Sequence, residues 1–142
     1  MIGAGTGIAP FIGFLQQRFA EKATGENWLF FGETQQACSF LFEGFLTECV
    51  QQDQLRLFTA FSRDQAEKVY VQGRIKQQAE QLWALINQGA HIYICGSQYG
   101  LAEGVKQAWL ELIMQFDHVD LETAQQTWQA WRQQKRLQLD VY

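Results

Sequence analysis

Three short apolar runs, alternating with longer stretches of helical periodicity, restrict this chain more than any other feature. Trp28-Leu29-Phe30-Phe31-Gly32, Leu55-Arg56-Leu57-Phe58-Thr59-Ala60-Phe61 and His91-Ile92-Tyr93-Ile94-Cys95-Gly96 read as buried strands, and two of them run straight into glycine. Helical patterns lie between them, from Phe11 to Ala23, Phe40 to Gln52 and Ile75 to Gln88. Leu101, Val105, Ala108, Trp109, Leu112, Ile113 and Phe116 then recur at steps of three and four, which marks one buried helical face. A further helix is expected from Asp120 to Lys135, with Asp120 as its N-cap. Leu137 to Tyr142 alternates apolar and polar residues as a terminal strand would. Strands alternating with helices join by right-handed crossovers into a parallel sheet. The expectation is one α/β domain, a Rossmann-like sheet of about five strands flanked by helices. Only Met1 and Ile2 precede the first glycine, so the first strand is expected to be truncated and the chain to be a C-terminal fragment of something longer.

The totals narrow the partners. The chain has 142 residues, 47% hydrophobic and 18% charged, enough for one real core and too apolar for disorder. A net charge of -4 argues against nucleic acid and anionic membranes as general partners. Cys38, Cys49 and Cys95 have neither Cys-x-x-Cys nor Cys/His spacing, so no metal site is read. They are read as reduced thiols of a cytoplasmic protein. No run of membrane-spanning length occurs, so any attachment to the cytoplasmic face of a membrane would come through segments outside this chain.

Ligands of parallel sheets sit at the carboxyl ends of the strands. That edge should collect Gly3–Pro10, Glu33, Ser62–Gln72 and Gly96–Gly100. The opening run Gly3-Ala4-Gly5-Thr6-Gly7-Ile8-Ala9-Pro10-Phe11 is not a dinucleotide fingerprint in either register, because Ile8 or Pro10 falls where the third small residue belongs. It lacks the lysine of a P-loop. It does carry Gly5-Thr6-Gly7 into Pro10, a residue suited to the first turn of a helix. Backbone N–H groups, the helix dipole and the Thr6 hydroxyl would then converge on a pyrophosphate. The plainer alternative is a tight strand-to-helix turn.

Two places compete to read the ribose. Glu33, after the second strand, suits the free hydroxyls of NAD and repels a 2′-phosphate. Ser62, Arg63 and Lys68 follow the third strand. In Lys68-Val69-Tyr70-Val71-Gln72 the valines favour an extended backbone. Extension would put Lys68, Tyr70 and Gln72 on one face, a cation, an aromatic plate and an amide. Such a face suits a 2′-phosphate and an adenine. Two charge-assisted contacts to a phosphate monoester are worth roughly 3–5 kcal/mol, which a screened rim carboxylate does not outweigh. NADP is therefore chosen over NAD. The alternative is a solvated basic patch neutralised by Asp64 and Glu67.

Together the segments GAGTGIAPFIGF (Gly3–Phe14), FFG (Phe30–Gly32), AFSRDQAEKVYVQ (Ala60–Gln72), LWALINQGAHIYICG (Leu82–Gly96) and LDVY (Leu139–Tyr142) resemble the NADP-binding module of the ferredoxin–NADP reductase superfamily, its diflavin branch in particular. They occur in the family's order over nearly the whole chain. The resemblance implies that NADPH passes hydride to an FAD held by a preceding domain of the same protein. It leaves open an FMN domain and the downstream electron acceptor. It implies that Gly5, Thr6, Gly7 and Pro10 hold the pyrophosphate, and that Ser62, Arg63 and Lys68 take the 2′-phosphate. Tyr70 would lie against the adenine with Gln72 beside it, and Gly96 and Ser97 would border the nicotinamide. Cys95 would lie near the nicotinamide C4. Asp140 matches a carboxylate that stabilises charge developing there, and Tyr142 a terminal aromatic that covers the flavin. Without the resemblance, Cys95 would read as a small buried residue and Asp140 and Tyr142 as a solvated tail.

The chain departs from that pattern at two points. Ser97 stands where better-known members carry aspartate, and Gly104 where an acidic residue precedes Val105. Cys95-Gly96-Ser97 followed by Gly-x-Ala-x-Gly-Val looks closer to bacterial flavodoxin-type reductases fused to membrane segments. No flavin-binding motif is present, so the isolated chain is expected to bind NADPH without turnover. An NAD-dependent dehydrogenase domain and a non-catalytic NADPH sensor are the competing readings. His91 and His118 show no catalytic arrangement, and Trp128 and Trp131 read as core or interface.

Overall fold

The computed structural model describes every residue except Gln65, and every side chain except those of Cys38 and Ser39. The elements in order are β1 (Ile2–Ala4), a 3₁₀ turn (Gly5–Ile8), α1 (Ala9–Ala20), β2 (Trp28–Glu33), α2 (Gln36–Ser39) and α3 (Glu43–Gln51). There follow β3 (Arg56–Phe61), α4 (Val71–Gln77), α5 (Ala79–Asn87), β4 (Ile92–Gly96), a π turn (Gln98–Ala102), α6 (Glu103–Asp117), α7 (Leu121–Gln133) and β5 (Leu137–Val141). The five strands form one sheet in the order β3-β2-β1-β4-β5, and every neighbouring pair is parallel. The chain winds outward from β1 to β3 and then returns to β4 on the other side. The reversal between β1 and β4 opens a crevice at the carboxyl edge.

Alternation along each strand divides the core into two. Ile2, Phe30 and Ile94 point to one face with α4, α5, α6 and α7, where Trp109, Ile113 and Trp128 fill the interior. Leu29, Phe31 and Cys95 point to the other face, against Phe11 and Leu15 of α1 and Leu46 of α3. Trp128 and Trp131, at helical spacing on α7, both belong to the first core. Trp131 meets Trp109 edge to face, with ring centroids 6.1 Å apart. Asp120 caps α7, accepting from the Thr123 amide at 2.9 Å, and that bond holds its carboxyl below the usual carboxylate range.

Two expected helices end differently from their periodicity. The stretch from Phe40 to Gln52 contains only α3 in its later part, because Phe42 turns left-handed (φ 61°) at its start while Phe40 stacks on Phe31. The helix expected from Ile75 to Gln88 is two, α4 and α5, and α4 begins earlier, at Val71. Val71 and Ile75, one turn apart, are both buried under the sheet. The Val71 side chain occupies the space over Gly32, where an added Cβ would lie 2.6 Å from its Cγ2. Glycine at the end of β2 is what lets α4 close on the sheet.

Candidate nucleotide-binding edge

The glycine run folds into the tight turn that joins β1 to α1. Ala4 is extended, Gly5 turns to φ +54°, and Gly5–Ile8 winds one 3₁₀ turn into a helix with Pro10 in its first turn. No side-chain cap is found on either segment among the described residues, which leaves their leading N–H groups without a side-chain acceptor at the N-cap. Gly7 is buried against the end of β4. A Cβ there would stand 2.2 Å from the Cys95 carbonyl oxygen. The loop can approach β4 this closely only because residue 7 has no side chain.

The Thr6 hydroxyl already has a partner. It lies 3.0 Å from the Tyr142 hydroxyl, across 136 residues of sequence. The Tyr142 amide donates to the Gly96 carbonyl at 3.2 Å, and its own carbonyl accepts from the Gln98 amide at 2.9 Å. The terminal residue is thus stitched to the end of β4 while its ring reaches over the glycine turn. Ser97 accepts from the Gly100 amide at 3.0 Å and so starts the π turn. At this position the side chain is occupied with its own backbone.

Beyond β3 the chain turns, and two successive amides still bond to the end of β2 and the residue after it. The Ser62 amide donates to the Glu33 carbonyl at 3.0 Å and the Arg63 amide to the Thr34 carbonyl at 2.8 Å. This holds the start of the basic loop against the sheet edge. Asp64 accepts from the Gln36 amide at 3.0 Å. It therefore ties the loop to the first turn of α2. The alternative of a patch paired with Asp64 and Glu67 has no such pair behind it, since among the described residues the one ion pair is Lys76–Glu111 at 2.5 Å. Arg63 and Lys68 are exposed cations without such a partner.

The extended face of this segment holds only in part. Lys68 and Tyr70 point outward, with Tyr70 47% exposed, while Val69 and Val71 turn to the core. Gln72 does not continue the alternation. It lies in the first turn of α4 with its amide against Gly104, close enough that a Cβ at 104 would stand 3.0 Å from Nε2. Burial of Val71 starts the helix and ends the period of two. Gly104, a departure from the family pattern, is the surface on which the Gln72 amide rests.

Glu33 sits at the end of β2 beside the glycine turn. Its Oε1 accepts from the Thr34 amide at 2.6 Å, and its Oε2 lies 3.6 Å from where a Gly5 Cβ would be.

At the switch point Cys95 and Asp140 are opposite residues of β4 and β5, with Sγ 4.0 Å from Oδ2. Burial pushes the Cys95 thiol up, and the neighbouring Asp140 charge pushes it further. The sulfur is therefore a neutral thiol beside a carboxylate at physiological pH, and this excludes it as a thiolate nucleophile. Alkylation of Cys95 by iodoacetamide at pH 8 is expected to run slower than in the unfolded chain. Asp140→Asn is expected to speed it several-fold. Site-resolved mass spectrometry checks both, and an unchanged rate in the variant would remove the carboxylate as a cause.

Thr6, Gly7, Pro10, Ser62, Arg63, Lys68, Tyr70, Cys95, Gly96, Ser97, Asp140 and Tyr142 therefore all belong to the carboxyl edge of one sheet. Tyr99, 82% exposed in the π turn, joins them without having been singled out in the sequence. Its signal was an aromatic residue set among Ser97, Gln98 and Gly100 in a turn, where a core role is improbable. Cys49 and Cys95 are free and buried, while the Cys38 side chain is outside the described residues. His118 closes α6 in a left-handed conformation and His91 stacks on Tyr93, which are structural positions. No helix among the described residues is long and apolar enough to cross a membrane.

Comparison with known proteins agrees with this geometry. The family described as oxidoreductase NAD-binding domain matches residues 1–107. The chain is 48% identical over 143 aligned positions to the sulfite reductase (NADPH) flavoprotein alpha-component of Enterobacter sp. (strain 638), and 47% to that of Salmonella arizonae. The protein of that name from Escherichia coli O9:H4 is 48% identical. In each case the match takes in 100% of this chain and 24% of the relative, so the chain spans about a quarter of their length. With a parallel sheet, a glycine turn entering a helix at its switch point and this match, the chain belongs to the oxidoreductase NAD-binding domain family.

Proposed function

We propose that residues 1–142 form the NADPH-binding domain of a longer cytoplasmic flavoprotein reductase, working against a flavin-bearing domain of the same protein. The observation that carries the choice of NADPH is the pair of cations, Arg63 and Lys68, that have no ion-pair partner among the described residues, on the loop anchored to β2 and α2. Ser62 and these two cations bind the 2′-phosphate, and Tyr70 offers its exposed ring to the adenine with the Gln72 amide at its edge. The N–H groups of the Gly5–Ile8 turn take the pyrophosphate, and Thr6 joins them once Tyr142 swings away. Bound NADPH supplies a hydride from its nicotinamide, and FAD, with or without a further FMN, accepts it. The Asp140 carboxylate would face the nicotinamide and stabilise the positive charge that hydride loss leaves on it. Cys95, held as a neutral thiol, lines the same spot without adding charge. Tyr142 would lie over the flavin ring and move aside for the nicotinamide. The terminal acceptor of electrons is set by the parts of the protein outside this domain.

The position of Glu33 beside Gly5 favours a second reading, NAD recognised through its ribose hydroxyls. Titration calorimetry of the chain with 2′,5′-ADP and with 5′-AMP separates the two. The NADPH reading expects 2′,5′-ADP to bind about a hundredfold tighter or more. Equal affinities would hand the site to NAD.

A further inference from the structure

Two buried valines fix one corner of the crevice. Val71 at the start of α4 and Val105 at the start of α6 belong to the same core. Gln72 follows the first valine and Gly104 precedes the second. The two helices lie side by side, so burying the valines brings residues 72 and 104 together at their N-terminal turns. Further along the same pair of helices, Lys76 reaches Glu111 at 2.5 Å. Contacts at both places set the spacing of α4 and α6, and the notch between Gln72 and Gly104 belongs to that frame.

Within the notch the side-chain amide of Gln72 lies flat on the glycine. From the place an added Cβ would take at 104, Nε2 is 3.0 Å away, Cδ 3.2 Å and Oε1 3.4 Å. Three atoms at nearly one distance mean that the face of the amide, not its edge, meets Gly104. Among the described residues no hydrogen bond holds this amide. Packing on Gly104 alone orients it. Its N–H donors and its carbonyl acceptor are left for a ligand.

We propose that Gly104 is a positioning residue for base recognition: the space it leaves on α6 holds the Gln72 amide in the orientation that reads the edge of the adenine lying on Tyr70. The inference rests on the nucleotide reading above and deepens it. An amide can pair with adenine through two bonds at once, accepting from the amino group and donating to a neighbouring ring nitrogen. Both bonds depend on the direction of one rigid group, so they fail together when it tilts. A side chain at 104 would meet the amide face to face and push it off the helix.

The test titrates the chain with oxidised NADP and with its etheno-bridged analogue. In the analogue a third ring ties up the adenine amino group and the adjacent ring nitrogen, while the 2′-phosphate and pyrophosphate are unchanged. The unmodified chain is expected to bind NADP about tenfold tighter than the analogue. Gly104→Ala should cut that ratio to about twofold by weakening NADP alone. Gln72→Ala should do the same, and the double variant should lose no more than either single one. Alanine is the better helix former, so Gly104→Ala should melt at or above the unmodified chain, which separates a lost base contact from a damaged fold. A ratio kept in Gly104→Ala would overturn the proposal. So would a ratio near one in the unmodified chain, or a loss from Gly104→Ala that persists when Gln72 is already alanine. Binding of neither dinucleotide would bring down the nucleotide reading itself, and this inference with it.

Discussion

Arg63→Ala is expected to weaken 2′,5′-ADP binding by about ten- to a hundredfold while leaving 5′-AMP unchanged. The amides of Ser62 and Arg63 are held by the carbonyls of Glu33 and Thr34, and Asp64 is spent on Gln36, so the guanidinium projects from a fixed base with no carboxylate to compete for it. A phosphate monoester offers it nearly two charges and a bidentate acceptor. Because Arg63 is exposed, the gain is screened, and raising salt to about 1 M should shrink the preference for the 2′-phosphate in the unmodified chain. Lys68→Ala should act in the same direction with a smaller loss, since an ammonium makes no bidentate contact. An Arg63→Ala variant that binds both nucleotides as before would end the assignment of this loop.

Gly7→Ala should do more harm than its one methyl group suggests. The new Cβ would fall 2.2 Å from the Cys95 carbonyl oxygen and 2.7 Å from the carbonyl carbon. Both atoms are backbone of β4, so no rotamer relieves the clash, and either the turn or the strand must move. Overpacking of this kind costs about 3 kcal/mol, a fall of roughly 10 °C in Tm for a chain of this size. Displacing the turn also misdirects its N–H groups, so nucleotide affinity should fall along with stability. Gly13→Ala is the control. Gly13 lies within α1 with nothing near its added Cβ. It should gain up to about 1 kcal/mol from the lower entropy of the unfolded chain. Thermal unfolding of the two variants side by side checks the pair, and equal melting temperatures would refute the close approach of the turn to β4.

Much of this molecule was legible along the chain because burial writes a period. Apolar runs ending in glycine at Gly32 and Gly96 became β2 and β4 almost to the residue, and six of the seven stripe residues, from Val105 to Phe116, became the inner face of α6, with Leu101 buried in the π turn just before it. Asp120 capped α7 as its side chain predicts. The carboxyl edge followed from parallel strands alone, and so the stretches at the ends of β1, β2, β3 and β4 could be named together, whereas Asp140 and Tyr142 were named only through the family resemblance. Where two signals of opposite period overlapped, local reading failed. Val69 and Val71 favour extension, yet Val71 also stands one turn from Ile75, and the space above Gly32 decided for the helix. Gln72 consequently left the face shared by Lys68 and Tyr70.

The parallel α/β architecture, the glycine turn leading into a Pro-started helix and the cationic loop after the third strand are readable along the chain, because each depends on neighbours a few residues apart. The packed fold settled which distant groups meet. It paired Cys95 with Asp140, set the Tyr142 hydroxyl on Thr6, spent Asp64 on Gln36 and, among the described residues, gave Arg63 and Lys68 no ion-pair partner. Such contacts join residues up to 136 positions apart, and no local periodicity encodes them; they exist because five strands chose one order in the sheet.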